Sequence, residues 1–127
     1  MEKTISEQVL NCAFEVSNQL GSGFLESVYE NALCIEMQAN GIEFQRQKSI
    51  DVIYKGQIAG NYVADIIVEN KLLVELKALS DFSKQHEAQI MNYLKATGIK
   101  VGLLLNFGTP RLGVRRIAWR YNEAERI

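Results

Sequence analysis

The sequence predicts an α/β sandwich, in which a mixed sheet with an antiparallel three-stranded meander is flanked by helices. Three observations predict this fold: two helical stripes of apolar residues open the chain, three segments with a period of two follow, and a further helix precedes two more strands. With 127 residues, one proline and 47% hydrophobic residues, the chain is expected to form a single domain over 1–127.

The first two predicted elements are helices. Thr4 and Glu7 have the spacing of a capping box at the start of the first. Apolar residues then recur every three or four positions up to Leu20, and a second such stripe runs from Leu25 to Ala39. A glycine follows each stripe closely, which favours a helix end there.

Most of the remaining predicted elements are strands rich in Val, Ile and Tyr. The first two are joined by Lys55-Gly56, which is a hairpin signal. The predicted elements are strands over 44–54, 57–69 and 71–79, a helix over 83–97, a fully buried strand from Val101 and a final strand over 114–121. We therefore expect the first three strands to form the meander.

Side-chain alternation assigns each residue of the second and third strands to one of two faces. In the second strand, one face is predicted to carry Tyr62, Ala64, Ile66 and Val68, and the other face Val63, Asp65, Ile67 and Glu69. In the third strand, one face is predicted to carry Leu72, Val74, Leu76 and Ala78, and the other face Leu73, Glu75, Lys77 and Leu79. The apolar rows of the two strands are expected to coincide on one face of the sheet.

The connection between these strands decides which charged side chains meet. A two-residue turn at Asn70-Lys71 would set Asp65 opposite Leu76, whereas a three-residue loop over 69–71 sets Asp65 opposite Glu75. Because only the loop makes the apolar rows coincide, we predict that Asp65 and Glu75 lie side by side. Their Cβ atoms would be about 4.5 to 5.5 Å apart, with Lys77 next along the same face.

Two adjacent carboxylates repel each other, and this is costly unless a cation binds between them. The pair formed by Asp65 and Glu75 therefore predicts a site for a hard divalent cation such as Mg²⁺, bound through oxygen. The alternative interpretation is that both acids, with Lys77, are solvated on the wet face of the sheet. Because the same face carries four apolar residues, a partly covered cleft is favoured.

The order of these motifs resembles that of the PD-(D/E)xK nuclease superfamily: a Glu on a helix, an acid on one strand, Glu-x-Lys on the next, and Gln-x-x-x-Tyr on a later helix. The segment Gly23-Phe24-Leu25-Glu26-Ser27-Val28-Tyr29 is similar to the motif of the GxxExxY family, a branch of small proteins within it. The resemblance runs from about residue 5 to about residue 118. It implies a restriction-endonuclease-like fold, although Ala64 stands where the superfamily often has proline.

The resemblance implies a metal site. In it, Asp65 and Glu75 would ligate Mg²⁺, or Mn²⁺, together with the backbone carbonyl of Leu76. Glu26 would add a carboxylate from its helix. The alternative for Glu26 is a solvated acid in the first helical turn, where it is favoured by the helix dipole.

The resemblance also implies roles in hydrolysis of a phosphodiester bond of DNA or RNA. Lys77 would orient or activate the attacking water and offset charge in the transition state. Gln89 and Tyr93, four residues apart on one helical face, would position the site or a substrate phosphate. Both could instead be a surface amide and a boundary aromatic residue. Tyr29 is expected to pack in the core, and the lone His86 to lie on a helix surface.

Charge is unevenly distributed along the chain. The net charge of -1 argues by itself against a polyanionic partner. However, residues 1–40 carry six acids and one base, and residues 41–127 carry nine acids and thirteen bases, so one side of the protein could face phosphate. The candidate nucleic-acid contacts are Arg46, Lys48, Arg111, Arg115 and Arg116. The alternative is that these residues are simply solvated at strand ends.

Other features narrow the class of protein. Cys12 and Cys34 lie in helical patterns and are expected to be reduced and buried, and no apolar run approaches the ~18 residues of a membrane span, so a cytoplasmic location is expected. A second hypothesis is a non-catalytic module that keeps the nuclease fold and binds nucleic acid or assembles as a homodimer or with a protein partner. The sequence leaves open DNA against RNA, and endonuclease against exonuclease action.

Overall fold

The computed structural model describes residues 2–127, which form an α/β sandwich around one mixed sheet. The helices are α1 (Ile5–Leu20), α2 (Glu26–Ala39) and α3 (Lys84–Thr97), and the strands are β1 (Phe44–Tyr54), β2 (Gln57–Val68), β3 (Leu72–Lys77), β4 (Val101–Asn106) and β5 (Gly113–Ala118). The predicted fold class and order of elements are confirmed. In this part of the chain no helix is long and apolar enough to cross a membrane.

The sheet has the order β1-β2-β3-β4-β5, and every neighbouring pair is antiparallel except β3 and β4. Helix α3 makes the crossover that a parallel pair requires. Helices α1 and α2 cover one face of the sheet and α3 covers the other, each with its own apolar cluster. Strand β4 is buried over its whole length because both of its faces are covered, as its continuous apolar run predicts.

The predicted register of β2 and β3 is confirmed. Ile66 pairs with Val74, and Val68 pairs with Leu72, which corresponds to the three-residue loop. Two residues of this loop adopt left-handed backbone conformations, Glu69 with φ 50° and Asn70 with φ 57°. Extended by one step, this register sets Asp65 against Glu75.

The predicted faces of β2 are correct only for the half nearest this loop. Ile66 and Val68 pack beneath α1 and α2, as the alternation predicts. Ala64 instead packs in the cluster on the α3 side, and Tyr62 lies against Tyr93 of α3 with ring centroids 5.4 Å apart. The prediction that all four share one face is therefore wrong.

The reason is a break in the β1–β2 ladder. Arg46 pairs with Ile66 and Lys48 pairs with Ala64, but the position between them, Gln47 against Asp65, is not paired. Gln47 has a left-handed backbone with φ 48°, which no regular strand contains. Because both strands leave regular geometry at this step, their side chains change faces across it.

Candidate metal and catalytic site

Asp65 and Glu75 face each other where β2 and β3 diverge. The backbone N–H of Asp65 donates to Oε1 of Glu75 at 3.1 Å, and the N–H of Leu76 donates to Oδ2 of Asp65 at 2.8 Å. Glu75 is 8% exposed and Asp65 is half-buried. Each carboxylate is thus held by the backbone of the other strand, and the predicted juxtaposition of the two acids is confirmed.

The broken ladder step makes this arrangement available. Because Gln47 does not pair with Asp65, the amide of Asp65 is free to donate to Glu75. Glu30 of α2 supports the break: its carboxylate accepts from Nε2 of Gln47 at 2.8 Å and from the guanidinium of Arg46 at 2.8 Å. A contact from the opposite layer of the fold therefore stabilises the geometry of the acid pair.

Burial, and after it the charge of Asp65, raises the pKa of Glu75 to about 9. The charge of Lys77 lowers this pKa, but its effect is smaller than those of burial and Asp65. In the absence of a cation, the site therefore favours a protonated Glu75 at neutral pH. A divalent cation would replace that proton and remove the repulsion between the two acids.

Lys77 is the last residue of β3, on the same face of the strand as Glu75. Within residues 2–127 the ion pairs join Arg46 to Glu30 and Lys100 to Glu125, so the Lys77 ammonium is in no ion pair in this part of the chain. Its backbone carbonyl accepts from the N–H of Phe107 at 2.8 Å. The backbone of Lys77 is therefore fixed while its side chain remains available.

Asn106, at the end of β4, is a structural support of the site that sequence reasoning missed. Its side chain is 2% exposed and is bonded to Leu79 twice, through Oδ1 to the N–H at 2.9 Å and through Nδ2 to the carbonyl at 3.0 Å. Gly108 is needed beside it, because a methyl group there would collide with the backbone of Leu79. The signal in the sequence was a single polar residue at the end of a buried apolar strand.

Helix α3 places Tyr93 near the acid pair, with Gln89 bonded to it. Gln89 donates through Nε2 to the Tyr93 hydroxyl at 2.8 Å. Tyr93 is buried, and its pKa is raised by that burial and then by the charge of Glu75, with a smaller contribution from Asp65. The phenol therefore lies within electrostatic reach of both acids, while Gln89 is exposed on the same helical face.

His86 is tied to the start of the same helix. Its Nδ1 accepts the backbone N–H of Ser83 at 3.2 Å, so the side chain caps α3. The expectation of an ordinary histidine near the helix surface is confirmed.

Glu26 is placed differently from the other predicted ligands. It is exposed at the start of α2, and residues 2–127 contain no group of three or more His, Cys, Asp or Glu residues arranged to hold a metal. The structure therefore gathers Asp65 and Glu75 but does not add Glu26 to them. Its role as a ligand stays a prediction.

Tyr29 anchors the loop that precedes Glu26, and its predicted packing role is confirmed. Its ring is buried and stacked on Phe107, with centroids 4.8 Å apart. Its hydroxyl donates to the carbonyl of Gly21 at 2.7 Å and accepts from the N–H of Phe24 at 3.1 Å. Since Phe107 is bonded to the backbone of Lys77, this loop lies at the end of the sheet that carries the site.

The structure does not gather the candidate nucleic-acid contacts on one surface. Arg46 lies on one edge strand and is bound by Glu30, whereas Arg115 and Arg116 lie on the opposite edge strand. Arg115 packs over the Phe82 ring on the α3 side, and Arg116 donates to Ser6 of α1 on the other.

Lys48 and Arg111 are exposed, on β1 and just before β5 respectively. Taken with the three arginines above, they occupy both edges of the sheet and both of its faces. The expectation of a single phosphate-facing side formed by these residues is therefore not met.

The sandwich and its paired carboxylates define a restriction-endonuclease-like protein. The sequence profile of the PD-(D/E)XK nuclease superfamily matches residues 3–117, which is most of the chain. The chain belongs to this superfamily. No curated protein matches the chain significantly in sequence.

Solved structures show the same fold. The crystal structure of SSO0001 superposes with a TM-score of 0.59 at 21% identity, over 79% of this chain and 53% of that one, so this chain spans about half its length. The alkaline exonuclease LHK-Exo from Laribacter hongkongensis superposes with a TM-score of 0.54 at 17% identity, over 98% of this chain and 74% of that one. At these identities the likeness concerns the fold.

Proposed function

We propose that the protein is a metal-dependent nuclease that hydrolyses phosphodiester bonds of DNA or RNA. One observation carries the proposal: Glu75, which is buried, and Asp65, which is half-buried, are packed against each other, each held by the backbone of the other strand. A buried pair of like charges destabilises a fold, so its presence at a strand end favours a functional origin. The exonuclease activity named for LHK-Exo is consistent with this chemistry.

The donor set fits a magnesium or manganese ion. Each acid uses one oxygen to accept a backbone N–H and keeps a second oxygen for a cation. Magnesium characteristically takes one or two carboxylates and completes its shell with water and substrate phosphate, so two acids suffice. The carbonyl of Leu76 is proposed as a further ligand, and Glu26 as a carboxylate that joins when substrate binds. When bound, the cation supplies Lewis-acid activation of the phosphate and of water.

The side chains around the pair have separate roles in this proposal. The Lys77 ammonium, which follows Glu75 on the same face, would donate hydrogen bonds to the attacking water and offset charge on the phosphate oxygens. Tyr93 would present its hydroxyl to the site, held in place by Gln89. Asp65 is fixed by the Leu76 N–H and would keep the cation on the β3 side of the cleft.

Within the superfamily, we propose that the chain belongs to the GxxExxY branch. The structure gives two of the three motif residues a physical reason. Gly23 has φ 118°, a conformation that favours glycine, and Tyr29 ties the loop to the end of β4. This leaves Glu26 as the motif residue whose side chain is exposed and available for chemistry.

A cytoplasmic setting is proposed on the state of the cysteines. Cys12 and Cys34 are both buried and unpaired, which suits a reducing compartment. Burial raises the pKa of the Cys34 thiol to about 11, so this thiol is unreactive at neutral pH.

The test is cleavage of labelled single-stranded DNA, duplex DNA and RNA by purified protein with Mg²⁺, with Mn²⁺ and with EDTA. Glu75→Ala and Lys77→Ala are expected to abolish cleavage. Glu69→Ala and Lys71→Ala are matched controls, because both residues are exposed in the loop at the other end of β3 from Lys77 and are expected to retain activity. Cleavage that persists in Glu75→Ala and Lys77→Ala would overturn the proposal, and binding without any cleavage would favour a non-catalytic module.

A further inference from the structure

An open groove lies between α3 and the outer half of β2, next to the carboxylate pair. Its walls are two tyrosines, three amide side chains, a histidine and an alanine: Tyr62, Tyr93, Gln85, Gln89, Asn92, His86 and Ala88. Its volume is about 380 Å³, within the range of small-molecule sites. We refer to it below as the α3 groove.

Tyr62 provides the α3 groove with an exposed aromatic surface. The residue is 47% exposed, although its ring rests on the buried ring of Tyr93 at 5.4 Å and 47°. Exposed tyrosines that pack on a second ring are held in place, and they lose little freedom when a flat ligand stacks on them. The break at Gln47 is what brings Tyr62 to this side, since regular alternation would set it on the face of Ile66.

The polar groups of the α3 groove favour a nucleobase over a phosphate. The lining contains no Lys or Arg, and Nδ1 of His86 is already bonded to the backbone of Ser83, so a phosphate would meet no permanently cationic side chain there. Each amide side chain offers both a donor and an acceptor, the combination that base edges require. An aromatic platform beside amides is a common way to hold an unstacked base.

The α3 groove shares Tyr93 with the site of the proposed chemistry. Tyr93 lines the groove and also lies within electrostatic reach of Glu75 and Asp65. Along β2, Tyr62 is three residues from Asp65, which corresponds to about 10 Å. A nucleic-acid strand that crosses the acid pair would therefore pass the groove.

We propose that the α3 groove binds one unpaired nucleobase of the substrate, stacked on Tyr62, while a neighbouring phosphate lies at the carboxylate pair. The proposal rests on the proposed nuclease function and specifies its substrate. A base within a duplex is paired on its edge and stacked on both faces, so it cannot enter the groove. The preferred substrate is therefore single-stranded nucleic acid, or nucleic acid with an unpaired base at the cleavage position.

The first test is binding without catalysis. Fluorescence anisotropy in EDTA would compare a labelled oligothymidylate with a duplex of equal length. Base stacking on an aromatic residue is worth about 1 to 3 kcal/mol, so Tyr62→Ala is expected to weaken oligothymidylate binding by about 5- to 150-fold. Tyr62→Phe keeps the ring and is expected to bind within about twofold of the unmodified protein. Tyr54→Ala is the control, because Tyr54 is 65% exposed at the far end of the β1–β2 hairpin.

The outcomes separate this proposal from the nuclease proposal. Tyr62-dependent binding of single strands, in a protein that never cleaves, would support the α3 groove and overturn the nuclease assignment. Equal cleavage of single-stranded and duplex substrates, unchanged by Tyr62→Ala, would overturn the groove and leave the nuclease assignment intact. Oligothymidylate binding that Tyr62→Ala does not weaken, with an unchanged melting temperature, would also overturn it.

Discussion

Replacement of Glu75 by glutamine is expected to stabilise the metal-free protein. The side chain keeps its shape and can still accept the N–H of Asp65, but an amide is neutral beside Asp65 at every pH, whereas Glu75 must take up a proton to be neutral. Burial and Asp65 raise the pKa of Glu75 to about 9, against about 4.3 in an unfolded chain. Each pKa unit corresponds to about 1.36 kcal/mol, so the full shift sets an upper limit of about 6 kcal/mol on the cost of the charge.

The gain from this substitution depends on pH, and the direction follows from the raised pKa. The folded protein holds a proton on Glu75 that the unfolded chain releases above about pH 4.3, so stability falls from there up to about pH 9. Glutamine abolishes this fall. Since a buried amide retains part of the burial cost, we expect a gain of about 3 kcal/mol at pH 8, or roughly 10 °C in melting temperature, and almost none at pH 4.

Thermal unfolding in EDTA, followed by circular dichroism from pH 4 to pH 9, would measure the stability difference between Glu75→Gln and the unmodified protein at each pH. Adding Mg²⁺ at pH 8 is expected to raise the melting temperature of the unmodified protein and not that of Glu75→Gln. Glu69→Gln is the control, because Glu69 is exposed in the adjacent loop and should follow the unmodified protein. A Glu75→Gln protein that is less stable than the unmodified one at pH 8 would refute the reasoning.

Three further predictions concern the supports of the site. Gln47→Val should lower the unfolding free energy by about 1 to 3 kcal/mol and weaken Mn²⁺ binding in calorimetry, because a β-branched residue disfavours φ 48°. Gln47→Gly suits that backbone and loses only the bond to Glu30, so it should have the smaller effect on both quantities. Asn106→Ala leaves backbone groups of Leu79 without partners and should cost about 2 to 4 kcal/mol in urea unfolding, against little for exposed Asn92→Ala. Tyr29→Phe keeps the ring stacking but loses two hydrogen bonds, which should cost about 1 to 2 kcal/mol in the same assay; an unchanged midpoint would contradict this.

The register of β2 and β3 could be predicted from sequence because one rule decides it. A shift of one residue would move a whole apolar row to the wrong face, and only the three-residue loop avoids that. The same rule predicts that Asp65 and Glu75 lie side by side. The end of β3 could be predicted less well, since it depends on Asn106, a residue 27 positions away from Leu79 that binds its backbone.

The change of face in β2 could not be predicted. Glutamine is not a residue type that signals a left-handed backbone. The side chain of Gln47 is held by the carboxylate of Glu30, which lies 17 positions earlier on a helix of another layer. For the same reason Tyr62 could not be assigned to the side of α3. The basic residues were grouped by sequence proximity, although neighbours on a strand point to opposite faces, as Arg115 and Arg116 do.

The unpaired step at Gln47 has a consequence for how this protein would respond to selection. A valine or isoleucine at that position would suit a regular strand, but φ 48° strains a β-branched residue, so selection for stability disfavours the substitutions that would close the ladder. In a sheet with this step paired, the N–H of Asp65 would bond to β1, and Glu75 would lose its hydrogen-bond donor. Libraries selected for thermostability alone are therefore expected to keep, at this one position, residues that tolerate a left-handed backbone, and to keep the metal site with them.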